Sequence, residues 1–162
     1  MDAHVNHDLP RMFRSAVLAL LWAIYESAVY QAASCLKEKD HHGLSIKDIK
    51  GKNDLDSWRK YFEHVLKFPL FNTEAERSRA EMLRALRKAI LHANGRIDEA
   101  FMKRPEWKLI EGYEKARIGI SFDYSYLEFT AGFIEEMLSS VSSSMNDLLD
   151  RVGKACSVVR TG

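Results

Sequence analysis

The residues best suited to chemistry in this 162-residue chain lie in one stretch, Arg84-Ala85-Leu86-Arg87-Lys88-Ala89-Ile90-Leu91-His92-Ala93-Asn94-Gly95. Arginine offers a planar fork for phosphate oxygens, lysine a point charge, and histidine a group that takes or gives a proton near neutral pH. Together Arg84, Arg87, Lys88 and His92 suit cleavage of a phosphodiester by its own ribose hydroxyl. His92 would move a proton to or from an oxygen, and Arg87 would stabilise charge on the phosphorus oxygens. The competing reading is a solvated helix face with one ordinary histidine. Spacing alone does not separate the two, because 6 histidines and roughly a dozen arginines give about one Arg-x4-6-His match by chance. Arg59-Lys60-Tyr61-Phe62-Glu63-His64 is another such match. Context favours the first. Arg59 to His64 sits in a short aromatic segment running into Phe68-Pro69, whereas Arg87 to His92 closes a long amphipathic helix with Arg84 and Lys88 beside it.

The elements that must hold these residues are helical. Thr73-Glu74-Ala75-Glu76 has capping-box spacing for the long helix, and Asn94-Gly95 is a C-terminal stop. On that helix Met82, Leu83, Leu86, Ala89, Ile90 and Ala93 form an apolar face. Arg77, Glu81, Arg84, Lys88 and His92 line the other side, and Leu91 is an apolar residue on this polar face, which calls for a cover. An N-terminal helix is predicted from near Pro10, capped by Asp8 or Leu9, to about Lys39. It has two apolar faces: Phe13, Val17, Leu20, Ile24 and Ala28, then Leu18, Trp22, Tyr25, Val29 and Leu36. Two such faces need two covers, either neighbours in a bundle or another subunit. Leu44 to Ile49 makes a minor helix, and Asp56 caps a third helix through Trp58, Tyr61, Phe62 and Val65, whose aromatics read as core. Arg96 to Gly112 reads as irregular or partly helical with Pro105 as a breaker, and Ile118 to Phe122 as extended. Ser125-Tyr-Leu-Glu128 has capping-box spacing for a last helix with a stripe of Leu127, Ala131, Ile134, Leu138, Val141, Met145, Leu148 and Leu149, and a frayed tail after Gly153. The expected architecture is all-α: one domain over 1–162, core about 10–152, a bundle of four main helices plus short helices.

Composition bounds the rest. At 46% apolar and 29% charged the chain is an ordered globular protein, long enough to bury about two-thirds of its unfolded surface. A net charge of +1 supplies no global field for a polyanion, so nucleic-acid contact must come from a local basic patch. Cys35 and Cys156 read as reduced cytoplasmic thiols. Met1 to Pro10 has no signal-peptide pattern, and the longest apolar run, Ala16 to Ile24, is too short for a bilayer, so a cytoplasmic location and no membrane partner are expected. His4, His7, His41 and His42 lack ligand spacing on a regular element, so no metal site is read and no cofactor is expected. The lysines between Lys37 and Lys52 read as a solvated loop, and Ser139 to Ser144 has no base placed for a nucleophile.

Arg87-Lys-Ala-Ile-Leu-His92-Ala-Asn-Gly95, after two or three helices and before an Ile-x-Ile segment and a final long helix, resembles the HEPN superfamily of helical ribonucleases. The likeness is nearest the branch with a His-small-Asn/Gly ending. It covers the layout of about Arg11 to Val152, and its specific part is the motif and its flanks. The resemblance implies a metal-independent RNA endonuclease acting as a homodimer, with two motifs facing each other across a composite cleft. Arg87 and His92 would be its catalytic residues, Arg84, Lys88 and Asn94 would bind substrate, and the products would be a 2′,3′-cyclic phosphate and a 5′-hydroxyl. It further implies a toxin or host-defence role, with an antitoxin or regulatory protein as a partner. The family often has Asn, Asp or His after the motif arginine, where this chain has Lys88. Five positions of helix separate Arg87 from His92 by ~140°. A twofold-related partner laid over the stripe would bring both pairs into one groove and cover Leu91. The alternative is a HEPN-like module that binds nucleotide, RNA or protein without cutting.

Overall fold

The computed structural model describes residues 2–41, 43–93, 95–116, 118–123 and 126–157, with side chains described for 8–41, 43–91, 95–116, 118–122 and 126–157. It is all-α in class; among the described residues it is 76% helical, with six helices and one small two-stranded sheet. In order these are α1 (Asp2–Asp40), a 3₁₀ turn (Ile46–Asp48), α2 (Asp54–Lys60) prolonged by a π turn (Tyr61–Val65), α3 (Glu74–Ala93), α4 (Glu99–Met102), α5 (Pro105–Lys115), β1 (Ile120–Asp123), β2 (Tyr126–Phe129) and α6 (Ala131–Ser157). The chain divides into two compact units, Met1–Ala23 with Arg79–Ser140 and Ile24–Ser78 with Val141–Gly162.

In the first unit, Leu18, Leu21 and Trp22 of α1 are buried, as are Met82, Leu83, Leu86 and Ala89 of α3 and Phe133, Ile134 and Met137 of α6. Two segments differ from the pattern expected of them. Pro105 opens α5 at its first position instead of breaking a helix, because the N–H it lacks would have had no intrahelical partner there. Tyr126 to Phe129 is a strand, not the start of a helix, and pairs antiparallel with β1 in the register Ile120 to Phe129 and Phe122 to Leu127. Its alternation puts Leu127 and Phe129 inward, and Thr130 is the residue that caps α6, its hydroxyl accepting from the Phe133 N–H at 3.2 Å. Ser125 lies outside the described residues. Gly119 turns the chain into this hairpin at φ +67, and a Cβ there would stand 2.6 Å from the Phe133 Cβ, so only glycine fits.

In the second unit, Tyr25, Val29, Ala32 and Leu36 of α1 are buried, together with Trp58, Tyr61 and Phe62, and Val141, Leu148 and Val152 of α6. Trp58 packs on Tyr25 and edge-on against Tyr30, which makes the aromatic segment core, as its spacing suggested. Its cap is Asn53, whose side chain accepts from the Asp56 N–H at 3.0 Å, while Asp56 itself accepts from the Lys52 N–H at 2.9 Å. Asp56 therefore fastens the entry turn one residue further out. Those bonds, with Lys60 and Arg59 beside it, hold its carboxyl well below the usual carboxylate range. The α3 cap is the one its spacing indicated, Thr73 Oγ1 accepting from the Glu76 N–H at 3.2 Å, while the Glu76 carboxylate accepts from the Asn72 N–H at 2.8 Å, one residue before the N–H that a capping box uses.

α1 begins at Asp2, eight residues before Pro10 and not at it, although an internal proline loses its bond to the Asn6 carbonyl and crowds that carbonyl; the neighbouring turn is tied by Arg11 to Asp8 at 3.3 Å. Its described part, Asp8–Asp40, is by length and composition apolar enough to cross a membrane, with an 18-residue window of mean hydropathy 1.4 of which 33% is buried in the protein. Averaging over that window tolerates the isolated polar residues that cut the uninterrupted run short. Of its two apolar faces one is core; on the other Phe13, Leu20 and Ile24 stand 71%, 61% and 48% exposed while Ala28 is buried, and Leu9 and Met12 nearby are also exposed. On α6 the stripe is also shifted, with Leu138 and Leu149 partly exposed while Phe133 and Met137 take core positions.

Candidate functional site

The basic stretch singled out in the sequence forms, from Arg84 to Ala93, the last three turns of α3, and its residues meet different fates. Arg84 and Lys88, one turn apart, both reach the same oxygen of Glu106 on α5: Arg84 Nη2 at 3.3 Å and Lys88 Nζ at 2.7 Å from Oε1. Glu106 is the one buried charged residue among the described residues, its side chain 7% exposed. Burial works against its charged form, but the hydrogen bond from Lys88, its own backbone N–H and the charges of Lys88 and Arg84 outweigh that and hold its carboxyl below the usual value. It also occupies the first turn of α5, where the helix dipole favours an anion.

Arg87 points elsewhere. Half-buried, its guanidinium stands over the fully buried Trp22 ring of α1 at 6.0 Å from the centroid, the outer reach of a cation–π contact. Leu91, one turn on, is 57% exposed. His92 lies in the last turn of α3, but its side chain is outside the described residues, as is the whole of Asn94. The turn that follows is fixed. Gly95 adopts φ +75, its N–H donates to the Ala89 carbonyl at 3.2 Å, and its own carbonyl accepts from the Leu127 N–H at 2.8 Å. Arg96 bridges Tyr126, so the end of the motif is tied to β2. The strand in turn is held to α1 by the Arg14 guanidinium, donating to the Phe129 carbonyl at 2.9 Å, and by Arg11 over the Tyr126 ring.

The rival pair behaves as a structural element. Arg59 donates to Glu63 at 2.7 Å and to Asp56 at 3.1 Å within its own helix, and His64 is exposed in the π turn. No group of three His, Cys, Asp or Glu side chains able to hold a metal occurs among the described residues. Compared with protein-family models, curated proteins and solved structures, the chain matches none.

Glu106 was not foreseen from sequence. The signal existed: Pro105-Glu106 is a helix opener with an acid in the first turn, and the acid stands among Lys103, Arg104 and Lys108, where an unpaired carboxylate would be the exception. Chemically, the stretch offers one guanidinium held by an aromatic ring, a histidine five positions on in the sequence, an exposed leucine between them, and two further cations already bound to an internal carboxylate.

Proposed function

We propose that this protein is a metal-independent RNA endonuclease of HEPN type, acting in the cytoplasm as a homodimer with a composite site, in a toxin or host-defence role with an antitoxin or regulator. The reading rests on the resemblance of Arg87 to Gly95. It is supported by the placing of that motif at the end of the long helix of an all-α chain, with Leu91 open beside it. In the reaction the ribose 2′-hydroxyl loses its proton and attacks phosphorus. The 5′-oxygen leaves and takes a proton, which yields a 2′,3′-cyclic phosphate and a 5′-hydroxyl. His92 serves proton transfer, and Arg87 stabilises the charge that grows on the non-bridging oxygens. Asn94 contacts substrate. Arg84 and Lys88 lend positive potential but meet the phosphate only in competition with Glu106.

A second reading, a HEPN-like module that binds nucleotide, RNA or a partner protein without cutting, is favoured by one observation: Glu106 already takes Arg84 and Lys88. The test is cleavage of transfer RNA and single-stranded RNA by the purified protein, with and without chelator, beside Arg87→Ala and His92→Ala. On the ribonuclease reading cleavage resists chelator and falls about 10²–10⁴-fold in His92→Ala and about 10²–10³-fold in Arg87→Ala. RNA binding without cleavage leaves the second reading; a folded protein that neither binds nor cuts RNA removes the first.

A further inference from the structure

We infer that the exposed face of α1 seats a second copy of this chain, whose own α1 packs antiparallel on it across a twofold axis beside Leu18. This takes up the homodimer of the reading above and gives it a surface, but rests on α1 and not on the Arg87 motif. From Leu9 to Ala23 every exposed residue of α1 is apolar. Leu9, Phe13, Ala16, Leu20 and Ala23 recur at alternating steps of four and three, the 3.5-residue period that keeps a seam turned toward a partner helix along its length. The opposite side of the same stretch, Leu18, Leu21 and Trp22, is buried in the protein's own core.

Side-chain size along the seam selects the occupant. Phe13 and Leu20 are large, Ala16 and Ala23 small. Antiparallel pairing about an axis beside Leu18 sets Phe13 against the partner's Ala23 and Leu20 against the partner's Ala16, so each large side chain fills the space that a small one leaves. Both pairs centre on the same position, as a single twofold requires. Parallel helices would instead put two Phe13 rings in one layer and two alanines in the next, overpacked and then hollow. With Leu9, Met12, Phe13 and Leu20 at 60%, 54%, 71% and 61% exposure, the face offers roughly 600 Å² per protomer, about 1,200 Å² for the pair, which reaches the lower end of specific interfaces. A lipid surface is the rival occupant, and a helix lying on one displays basic side chains beside its apolar face. Here the two basic residues of the stretch turn to β2: Arg11 stands over the Tyr126 ring at 4.5 Å, and Arg14 donates to the Phe129 carbonyl at 2.9 Å.

The experiment is sedimentation equilibrium of the full chain at micromolar concentration, for the wild type, Ala16→Leu, Leu20→Ala and the double variant. RNA cleavage and flotation with neutral and anionic phospholipid vesicles are measured beside it. Both positions are exposed in the single chain, so neither change disturbs its own core, and circular dichroism checks this. The wild type is expected to be a dimer. Ala16→Leu crowds the partner's Leu20 and Leu20→Ala leaves a gap, so each weakens association about 10–100-fold, while the double variant, which exchanges large and small within one pair, returns to within about tenfold of wild type. A wild-type monomer, a monomer that floats with vesicles, or an Ala16→Leu dimer tighter than wild type, as parallel helices would give, overturns the proposal. So does a dimer indifferent to all three variants, which leaves the composite site to another surface. A dimer that follows the expected pattern and cuts no RNA upholds the seam and sinks only the ribonuclease reading.

Discussion

Glu106→Ala is the substitution whose cost follows most directly from the structure. The carboxylate is almost fully enclosed, and its removal leaves the Arg84 guanidinium, 16% exposed, and the Lys88 ammonium, 34% exposed, facing each other across the gap. Breaking a buried ion pair from one side costs about 3–5 kcal/mol. Lys88 recovers part of its hydration at that exposure, so the lower end applies, about 3 kcal/mol. With a urea m-value of about 2 kcal/mol/M the midpoint falls by roughly 1.5 M. Glu106→Gln keeps the shape and one acceptor, and loses about 2 kcal/mol. The pH dependence carries the sign: a carboxyl held below its unfolded value contributes above that value, about 4.3, and the contribution is lost as pH falls through the folded one. The wild-type and Glu106→Gln midpoints therefore differ at pH 7 and converge below about pH 4. Urea titrations by circular dichroism at pH 7 and pH 3, with amide exchange reporting α3 and α5, read both effects. A loss under about 1 kcal/mol, or a gap equal at both pH values, refutes the account.

Two glycines give opposed outcomes. Gly119→Ala forces φ +67 on an L-residue and drives a methyl against Phe133, so thermal unfolding should show a loss of about 2–4 kcal/mol. Gly112→Ala, mid-α5 with nothing within 4 Å of the new methyl, should instead gain about 0.5–1 kcal/mol. The proposed composite site would need a second copy, and the exposed residues of α1 and Leu91 offer it apolar surface. Light scattering at micromolar concentration should find a dimer, and Phe13→Asp with Leu20→Asp should yield a folded monomer without RNA cleavage. A wild-type monomer sinks the shared site.

What could be read from sequence was what one element decides by itself. The α3 cap at Thr73, its stop at Gly95 and its buried face follow from local spacing, and so do the aromatic core residues Trp58, Tyr61 and Phe62. The misread segments were those where a partner decides. Tyr-Leu-Glu-Phe between 126 and 129 satisfies a capping-box spacing and a strand alternation equally, and only β1 beside it selects the strand. Pro105 reads as a stop or a start depending on which side holds the helix. Asp56 reads as a cap by type, but Asn53 takes that place by holding the Asp56 N–H, and Asp56 holds the Lys52 N–H instead. Of the site, the motif and the open Leu91 were legible, but the ion pairs of Arg84 and Lys88 were not, because Glu106 is 18 positions beyond Lys88 and no periodicity links them.

Those ion pairs change what the basic stripe is for. Arg84, Lys88 and Glu106 together carry a net charge of +1 where sequence alone suggested two free cations, so the stripe binds α5 first and anions second. Displacing Glu106 to admit a phosphate would expose an uncompensated carboxylate beside the incoming anion, an arrangement that raises rather than lowers the energy of a bound polyanion. The triad is therefore better suited to fixing α3 than to gripping RNA. A rigid α3 has its own use: the turn carrying Arg87 is then held by α5 on one flank and by Trp22 on the other, and a guanidinium with few alternative poses stabilises a transition state without first being ordered. On this argument Arg84 and Lys88 contribute little to the proposed site and Arg87 is its chief guanidinium within each chain, which is the physical reason a second Arg87 from a twofold partner matters to it.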